Sequence, residues 1–229
     1  MNADRIAASY RWLEYAAFGL ALEKARFDSL SRAAEARRVL ILGEGDGRFL
    51  ARLLEYNQNA SVTVIESSAR MIQLAERRVP ACERSRVEFH QMDAVAGAFP
   101  DGPFDLAVTH FFLDILNPRD AEAVILKVNA RLAPGACWLV SEFQEPTGAL
   151  RLLHARLWLS AMYGFFSITT GLRASKLPPY RDLLERAGLA EIEHRERRFG
   201  LIRSQVWRKN CSASDMSAAA FIPIDKPVK

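Results

Sequence analysis

A loop rich in glycine is the feature of the sequence that is most specific for binding a ligand. Gly43, Gly45 and Gly47 follow an apolar run, and because glycine has no Cβ they let the chain turn sharply and let a ligand approach the main chain. The same loop carries Glu44 and Asp46, whose negative charges would repel a diphosphate and attract cationic groups. The loop is therefore predicted to bind a ligand with cationic groups.

The glycine spacing differs from that of dinucleotide-binding proteins. Their pattern, G-x-G-x-x-G, has a third glycine where this chain has Arg48, and that glycine allows the helix to pack closely below a pyrophosphate. S-adenosylmethionine, in contrast, carries an ammonium and a sulfonium group, which suit the two carboxylates of the loop. The spacing thus argues against NAD and favours S-adenosylmethionine.

Two more acids follow the next two predicted strands. Glu66 lies 23 residues after Gly43, where an acid can accept hydrogen bonds from both hydroxyls of a ribose. Asp93 follows the third strand and could accept a hydrogen bond from an adenine amino group. Either acid alone could equally be a helix cap or a loop residue. Together with the glycine loop they stand at the carboxyl ends of three successive strands, where open α/β sheets bind ligands.

Apolar runs alternate with helical patterns along the chain, which predicts an α/β fold with a wound parallel sheet. The predicted strands are 39–42, 61–65, 87–90, 104–109 and 136–140, and the predicted helices are 48–56, 69–78 and 119–132. A short helix over 178–187, ending before Gly188, precedes two alternating segments, 190–197 and 201–207. These two segments are joined around Gly200 and are predicted to form an antiparallel hairpin on the edge of the sheet.

The rest of the chain is predicted to lie outside the sheet. A helical pattern without proline covers 6–37, and an apolar, aromatic-rich segment covers 149–172. We expect one domain over 1–209, with N-terminal cap helices over 1–37, a lid insertion over 148–175 and a flexible tail over 210–229. The apolar segment suits a lid over a hydrophobic substrate, a dimer face or a core helix.

Composition excludes several classes of protein. The chain has 229 residues, of which 50% are hydrophobic and 25% charged, values typical of one globular domain and not of a disordered or fibrous chain. The net charge of +4 is too small for a dedicated nucleic-acid binder. Cys82, Cys137 and Cys211 are scattered, so we predict neither a disulfide framework nor a metal site. With no secretory signal or spanning segment in the pattern, we expect a cytoplasmic protein.

The order of these motifs resembles that of the class I S-adenosylmethionine-dependent methyltransferases, particularly the small-molecule branch that includes quinone-biosynthesis enzymes. The resemblance rests on the segments ILGEGDG, VIESSARM, FHQMDA, FDLAVTHFFLDIL and RLAPGACWLVSEF. It implies a Rossmann-like seven-stranded sheet in the order 3-2-1-4-5-7-6 with the last strand antiparallel, helices on both faces, and S-adenosyl-L-methionine as cofactor. The family usually has an acid where this chain has Ile41; either Glu44 takes over that acid's role near the methionine ammonium, or the role is lost.

The resemblance and the strand-end positions together imply a set of cofactor-binding residues. These are Gly43, Glu44, Gly45, Gly47, Glu66, Ser67, Met71, Asp93, Ala94 and Thr109. Methyl transfer from a sulfonium mainly requires alignment in a dry pocket, so a catalytic base is optional. His110, at the end of the fourth strand, is the candidate catalytic residue; it could take a proton from a phenol or enol, or simply pack there. With Asp114 it supplies too few ligands for zinc.

The predicted function is methyl transfer to a small hydrophobic or aromatic acceptor, or to a lipid at a membrane surface. The pattern is compatible with peripheral membrane contact and does not indicate an oligomeric state. One alternative is a non-catalytic, cofactor-binding regulatory protein, which Ile41 suggests. Another is an RNA methyltransferase, suggested by the basic pI and the run 194–198. Glutamates alternate with the arginines of that run, so a solvated edge strand is favoured and no nucleic-acid partner is expected.

Overall fold

The computed structural model describes residues 20–146, 148 and 177–210. Seven strands form one sheet: β1 Arg38–Leu42, β2 Ser61–Glu66, β3 Val87–Gln91, β4 Phe104–His110, β5 Leu132–Phe143, β6 Leu189–Arg197 and β7 Ile202–Lys209. Their order is β3-β2-β1-β4-β5-β7-β6, and β7 runs antiparallel to both neighbours. The predicted seven-stranded order and its one antiparallel strand are confirmed.

Five α-helices accompany the sheet in the described residues. They are α1 Ala21–Phe27, α2 Arg48–Tyr56, α3 Ala69–Arg78, α4 Pro118–Arg131 and α5 Tyr180–Arg186. The bounds of α2 and α3 agree with the sequence prediction because both segments place apolar residues at helical spacing. In α3 the start is also marked by Ser68, whose hydroxyl accepts a hydrogen bond from the amide of Met71 at 3.1 Å.

The central strands are apolar on both faces because helices cover both sides of the sheet. Leu40 and Leu42 of β1 belong to a core that also includes residues of α4 and α5. Val39 and Ile41 belong to a second core, which contains Phe49 and other residues of α2. Alternate residues of one strand therefore lie in opposite cores, which fixes the register of β1 and the direction in which its glycine loop leaves the sheet.

β5 is longer than the predicted strand over 136–140. It begins directly after α4 and includes Pro134 and Gly135, with a register shift in its pairing to β4 between Phe104 and Leu106. At its other end the ladder with β7 continues to Phe143, opposite Ile202. Pairing with two neighbours, rather than local preference, sets these bounds. Within the predicted hairpin β6 is the edge strand, whereas β7 lies inside the sheet.

α1 is held against the carboxyl end of β5 and the amino end of β7. The hydroxyls of Ser141 and Ser204 both donate to the carbonyl of Ala25, at 3.1 and 3.0 Å. Asp28, just after α1, pairs with Arg195 and Arg197 of β6. A short 3₁₀ turn, Leu30–Ala33, then leads to β1. The helical prediction over 6–37 can thus be compared with the structure only from residue 20 onward.

Two predicted segments lie outside the described residues: the lid over 148–175, of which only Gly148 is described, and the tail over 210–229, of which only Asn210 is described. The division of the chain into cap helices, lid and tail therefore stays a prediction. Among the residues that are described, no helix is long and apolar enough to cross a membrane.

Candidate active site

The predicted site residues meet at one edge of the sheet because β2, β1, β4 and β5 are parallel and end together. Leu42 of β1 is level with Ile65 of β2 and with Thr109 of β4. Backbone bonds extend the pairing beyond the strands: the amide of Gly43 donates to Ile65 at 2.9 Å. That of Phe111 donates to Ser141 at 2.7 Å. The sheet thus delivers the glycine loop, Glu66 and His110 to a common edge.

The glycine loop lies against a phenylalanine on one side and is open on the other. All three glycines have positive φ values. A Cβ on Gly43 would lie 2.5 Å from Cδ2 of Phe112, whereas a Cβ on Gly45 would meet nothing within 4 Å. A side chain at Gly45 would therefore project into open space in front of the loop. This is where a ligand can approach the backbone.

Glu66 joins the glycine loop to the start of α3. Its Oε2 accepts a hydrogen bond from the amide of Gly45 at 3.2 Å, and its Oε1 accepts one from the amide of Ser68 at 3.0 Å. The residue is 8% exposed, so the carboxylate is held firmly beside the open side of the loop. Ser67 is exposed and Met71 is buried on the following turn.

The two acids of the loop have different environments. Asp46 is paired with Arg48 at 2.9 Å and with Arg78 at 3.2 Å, so the expectation that it attracts a cationic ligand is wrong: its charge is already balanced. Glu44 accepts a hydrogen bond from the amide of Leu50 at 2.9 Å. Burial raises the pKa of the Glu44 carboxyl to about 8.

Arg26 of α1 brings a positive charge to the same edge. Its guanidinium carbon lies 5.2 Å from the centroid of the Phe111 ring, and its charge lowers the pKa of both Glu44 and His110, although burial is the larger influence on each. The sequence prediction missed Arg26 because no spacing rule links a residue in a cap helix to a loop 17 or more residues further on.

His110 is packed into an apolar environment. Its ring meets the ring of Phe49 edge-on, with centroids 4.7 Å apart and planes at 72°. Among the described residues neither ring nitrogen has a hydrogen-bond partner. Burial lowers the pKa of His110 to about 3, with the charge of Arg26 acting in the same direction. The imidazole is therefore neutral throughout the physiological range.

Thr109 faces the opposite side of the sheet from His110. Its side chain is fully buried, and its hydroxyl accepts a hydrogen bond from the indole N–H of Trp138 at 3.0 Å. Any contact between Thr109 and a cofactor would therefore involve its backbone.

The loop after β3, which carries Asp93 and Ala94, is held by a lysine of α4. Oδ1 of Asp93 accepts a hydrogen bond from the amide of Val95 at 2.8 Å, within the loop itself. The ammonium of Lys127 donates to the carbonyls of Ala94 at 3.2 Å and Gly97 at 2.9 Å, and also to that of Val95. One cation therefore ties three carbonyls of this loop to the body of the protein.

In the described ranges no group of three His, Cys, Asp or Glu side chains could hold a metal ion. Cys82 and Cys137 are free thiols.

Residues 39–135 match the sequence pattern of a methyltransferase domain family. The demethylmenaquinone methyltransferase of Thermus thermophilus is 34% identical over 179 residues, which cover 78% of this chain and 73% of that protein. The chain belongs to the class I S-adenosylmethionine-dependent methyltransferases. The phosphatidylethanolamine N-methyltransferase of Cereibacter sphaeroides is 30% identical over 161 residues, covering 69% of this chain and 77% of that protein.

Solved structures agree with this family fold. The N-methyltransferase NodS from Bradyrhizobium japonicum, in complex with S-adenosyl-L-homocysteine, superposes with a TM-score of 0.61 at 18% identity, covering 82% of this chain and 88% of that one. The chain is thus an enzyme that uses S-adenosylmethionine as cofactor. Its own residues fit the group, because Gly45 leaves open space beside the loop and the buried Glu66 carboxylate lies next to it.

We predict that the affinity for S-adenosylhomocysteine rises from about pH 6 to about pH 8 as Glu44 loses its proton. The ammonium of the ligand favours ionised Glu44, so binding releases a proton and the dissociation constant falls by at most about tenfold per pH unit. Calorimetric titration at several pH values measures this slope. In Glu44→Gln the slope should vanish and binding should weaken.

Asp46→Asn is the matched control, because it removes an acid of the same loop whose charge is already balanced; it should retain the slope. A slope that persists in Glu44→Gln would contradict the prediction.

Because the pKa of Glu44 is raised in the folded protein, its ionisation opposes folding as the pH rises toward 8. Ligand-free Glu44→Gln should therefore melt at a higher temperature than the wild type at pH 8.

We predict that Lys127→Met weakens S-adenosylhomocysteine binding by about tenfold, since the loop carrying Asp93 loses a charged anchor. Lys209→Met is the control. Lys209 also donates to two carbonyls, those of Asn129 and Leu132, both at 2.8 Å and away from this loop. Titration of both variants, with their melting temperatures, checks the prediction; equal affinities would refute it.

Proposed function

We propose that the enzyme transfers the methyl group to a small lipophilic acceptor with a hydroxylated aromatic ring, of the hydroquinone class. The buried His110 ring carries this proposal: among the described residues its two nitrogens have no hydrogen-bond partner, although buried polar groups nearly always have one. A ligand hydroxyl would satisfy such a nitrogen. The similarity to the demethylmenaquinone methyltransferase of Thermus thermophilus supports the same class of acceptor.

The surroundings of His110 favour an aromatic acceptor over a charged one. Phe49 packs edge-on against the imidazole. Phe111 is the next residue of the chain, and the centroid of its ring lies 5.3 Å from that of the Phe143 ring. These rings offer apolar and edge-to-face contacts to an aromatic acceptor.

The cofactor is assigned to the residues around the glycine loop. In this proposal Gly43, Gly45 and Gly47 bring the backbone close to it, Glu66 accepts the ribose hydroxyls, and Asp93 and Ala94 contact the adenine, with Ser67, Met71 and Thr109 nearby. Glu44 takes the ammonium of the methionine portion. Arg26, on the same edge, takes its carboxylate, so that the two charged ends of an amino acid meet opposite charges. When bound, the cofactor supplies the activated methyl group.

The hypothesis that His110 removes a proton from the acceptor is less consistent with its environment. A phenol with an ordinary pKa of about 10 could pass its proton to a group with a pKa of about 3 only at a cost of ~10 kcal/mol. We therefore propose that neutral His110 orients the acceptor by a hydrogen bond. Rate enhancement then comes from alignment and exclusion of water.

Two other classes of acceptor, a lipid amine and RNA, are compared with the hydroquinone in the assay described below. A lipid amine is suggested by the similarity to the phosphatidylethanolamine N-methyltransferase of Cereibacter sphaeroides. RNA was motivated by the arginines of β6, but Arg195 and Arg197 pair with Asp28. Arg203 pairs with Glu191 and Glu196. This pairing balances much of the positive charge along the edge.

We predict that the purified enzyme methylates a short-chain 2-prenyl-1,4-naphthoquinol, with equimolar formation of S-adenosylhomocysteine. The assay compares this quinol with phosphatidylethanolamine vesicles and with total transfer RNA, under reducing conditions, and detects products by mass spectrometry. Transfer to the vesicles or to RNA but not to the quinol would overturn the proposal, as would the absence of transfer to all three.

We predict that His110→Phe lowers kcat/KM for the quinol by about tenfold, the value of one hydrogen bond, with unchanged affinity for S-adenosylhomocysteine. His110→Asn keeps a polar partner and should retain more activity than His110→Phe. Rate profiles against pH decide between orientation and base catalysis: an inflection that is present in the wild type and absent from both variants would show that His110 accepts a proton.

A further inference from the structure

We propose that Glu142 is a positioning residue that holds the loop on the acceptor side, Phe112–Asp114, against the cofactor loop. The expected effect of Glu142 on turnover rests on the function proposed above, whereas its hydrogen bonds to the loop do not. Glu142 lies near the end of β5 and is fully buried.

The carboxylate of Glu142 accepts hydrogen bonds from three consecutive backbone amides. Its Oε1 accepts from Phe112 at 3.2 Å and from Leu113 at 2.9 Å, and its Oε2 accepts from Asp114 at 3.2 Å. Three backbone amides that share one buried carboxyl group would be costly to leave unpaired. One side chain of β5 therefore fixes the course of the chain just after β4.

This loop touches the glycine loop directly. The chain turns at Phe111, which has a φ of +55°, a left-handed value that is uncommon for a residue with a side chain. The ring of Phe112 then occupies the space that a side chain at Gly43 would need. A shift of the Phe112 backbone is therefore felt by the first glycine, and the position of Glu142 affects both loops.

A second buried acid lies beside Glu142. Asp114 is 2% exposed, and burial raises its pKa to about 7 and the pKa of Glu142 well above its ordinary value, each acid being affected by the other. Tyr180 of α5 faces both carboxyls, and Arg181 of α5 and Arg203 of β7 act on the Tyr180 hydroxyl. Burial therefore favours the protonated form of both acids.

The two buried carboxyls give the loop a pH dependence of known sign. Both pKa values are raised in the folded protein, so the arrangement is most stable below the ordinary pKa of these acids, and it loses stability as the pH rises toward the raised pKa, about 7 for Asp114. Two charges would then repel each other inside the protein.

Hydrogen exchange of the three amides in ligand-free enzyme tests the proposal. Exchange of Phe112, Leu113 and Asp114 should be about tenfold faster in Glu142→Gln, whose amide group can accept fewer of these bonds. Their protection, corrected for intrinsic exchange, should fall with rising pH in the wild type and less steeply in Glu142→Gln, in which only the Asp114 carboxyl can still ionise. The same variant should bind S-adenosylhomocysteine several-fold more weakly and lose more in kcat than in KM for the naphthoquinol.

Gln205→Met is the matched control. Gln205 is also buried, lies on the same face of the sheet opposite Val140, and bonds Glu191 instead of the loop. It should leave the three amides and ligand affinity unchanged even if it lowers the melting temperature. Wild-type protection of these amides in Glu142→Gln, or equal loss in both variants, would overturn the proposal. Because exchange and ligand binding need no acceptor, failure of the naphthoquinol assay alone would instead count against the proposed function.

Discussion

The contact between Gly43 and the ring of Phe112 is the constraint on which the site depends, because it leaves no room for a side chain at the first glycine. Phe112 belongs to the loop after β4, and Gly43 to the loop after β1. The end of β2 is connected to the loop after β1 through Glu66, whose carboxylate accepts a hydrogen bond from the amide of Gly45. The ends of three neighbouring strands are thus packed as one unit, and an acceptor and a cofactor bound there would be aligned by the same backbone.

The site contains acids of two kinds. Asp46 and Asp28 are neutralised by arginines and hold structure together. Glu44, Asp114 and Glu142 instead have raised pKa values because they are buried. Such groups reduce the stability of the folded chain, a common property of active sites. In the proposed function the cost in Glu44 is compensated when the ammonium of the ligand binds; in the other two acids it is offset in part by hydrogen bonds from backbone amides.

Much of the fold follows from short-range patterns, whereas several site residues do not. The runs 39–42 and 61–65 predict buried strands because short apolar runs that alternate with helical patterns are typical of a parallel sheet covered on both faces, and the resemblance supplied their order. The extent of β5 was missed, since Pro134 and Gly135 are poor strand formers and only pairing places them there. Lys127 and Glu142 act on backbone about 30 residues away in the chain. Contacts of a side chain with distant backbone leave no periodic signal, so Arg26, Lys127 and Glu142 emerge only from the folded arrangement.

The docking of α1 has a consequence for biosynthesis. Ala25 is bound by Ser204, 179 residues later, and Asp28 by Arg197, 169 residues later. A nascent chain that has not yet produced β6 and β7 lacks these contacts, and only Ser141 of β5 is left to hold the helix that carries Arg26. Contacts of such long range form late in folding. Ligand binding would therefore stabilise the finished chain far more than any growing fragment, and the cell's supply of cofactor would favour complete molecules over truncated ones.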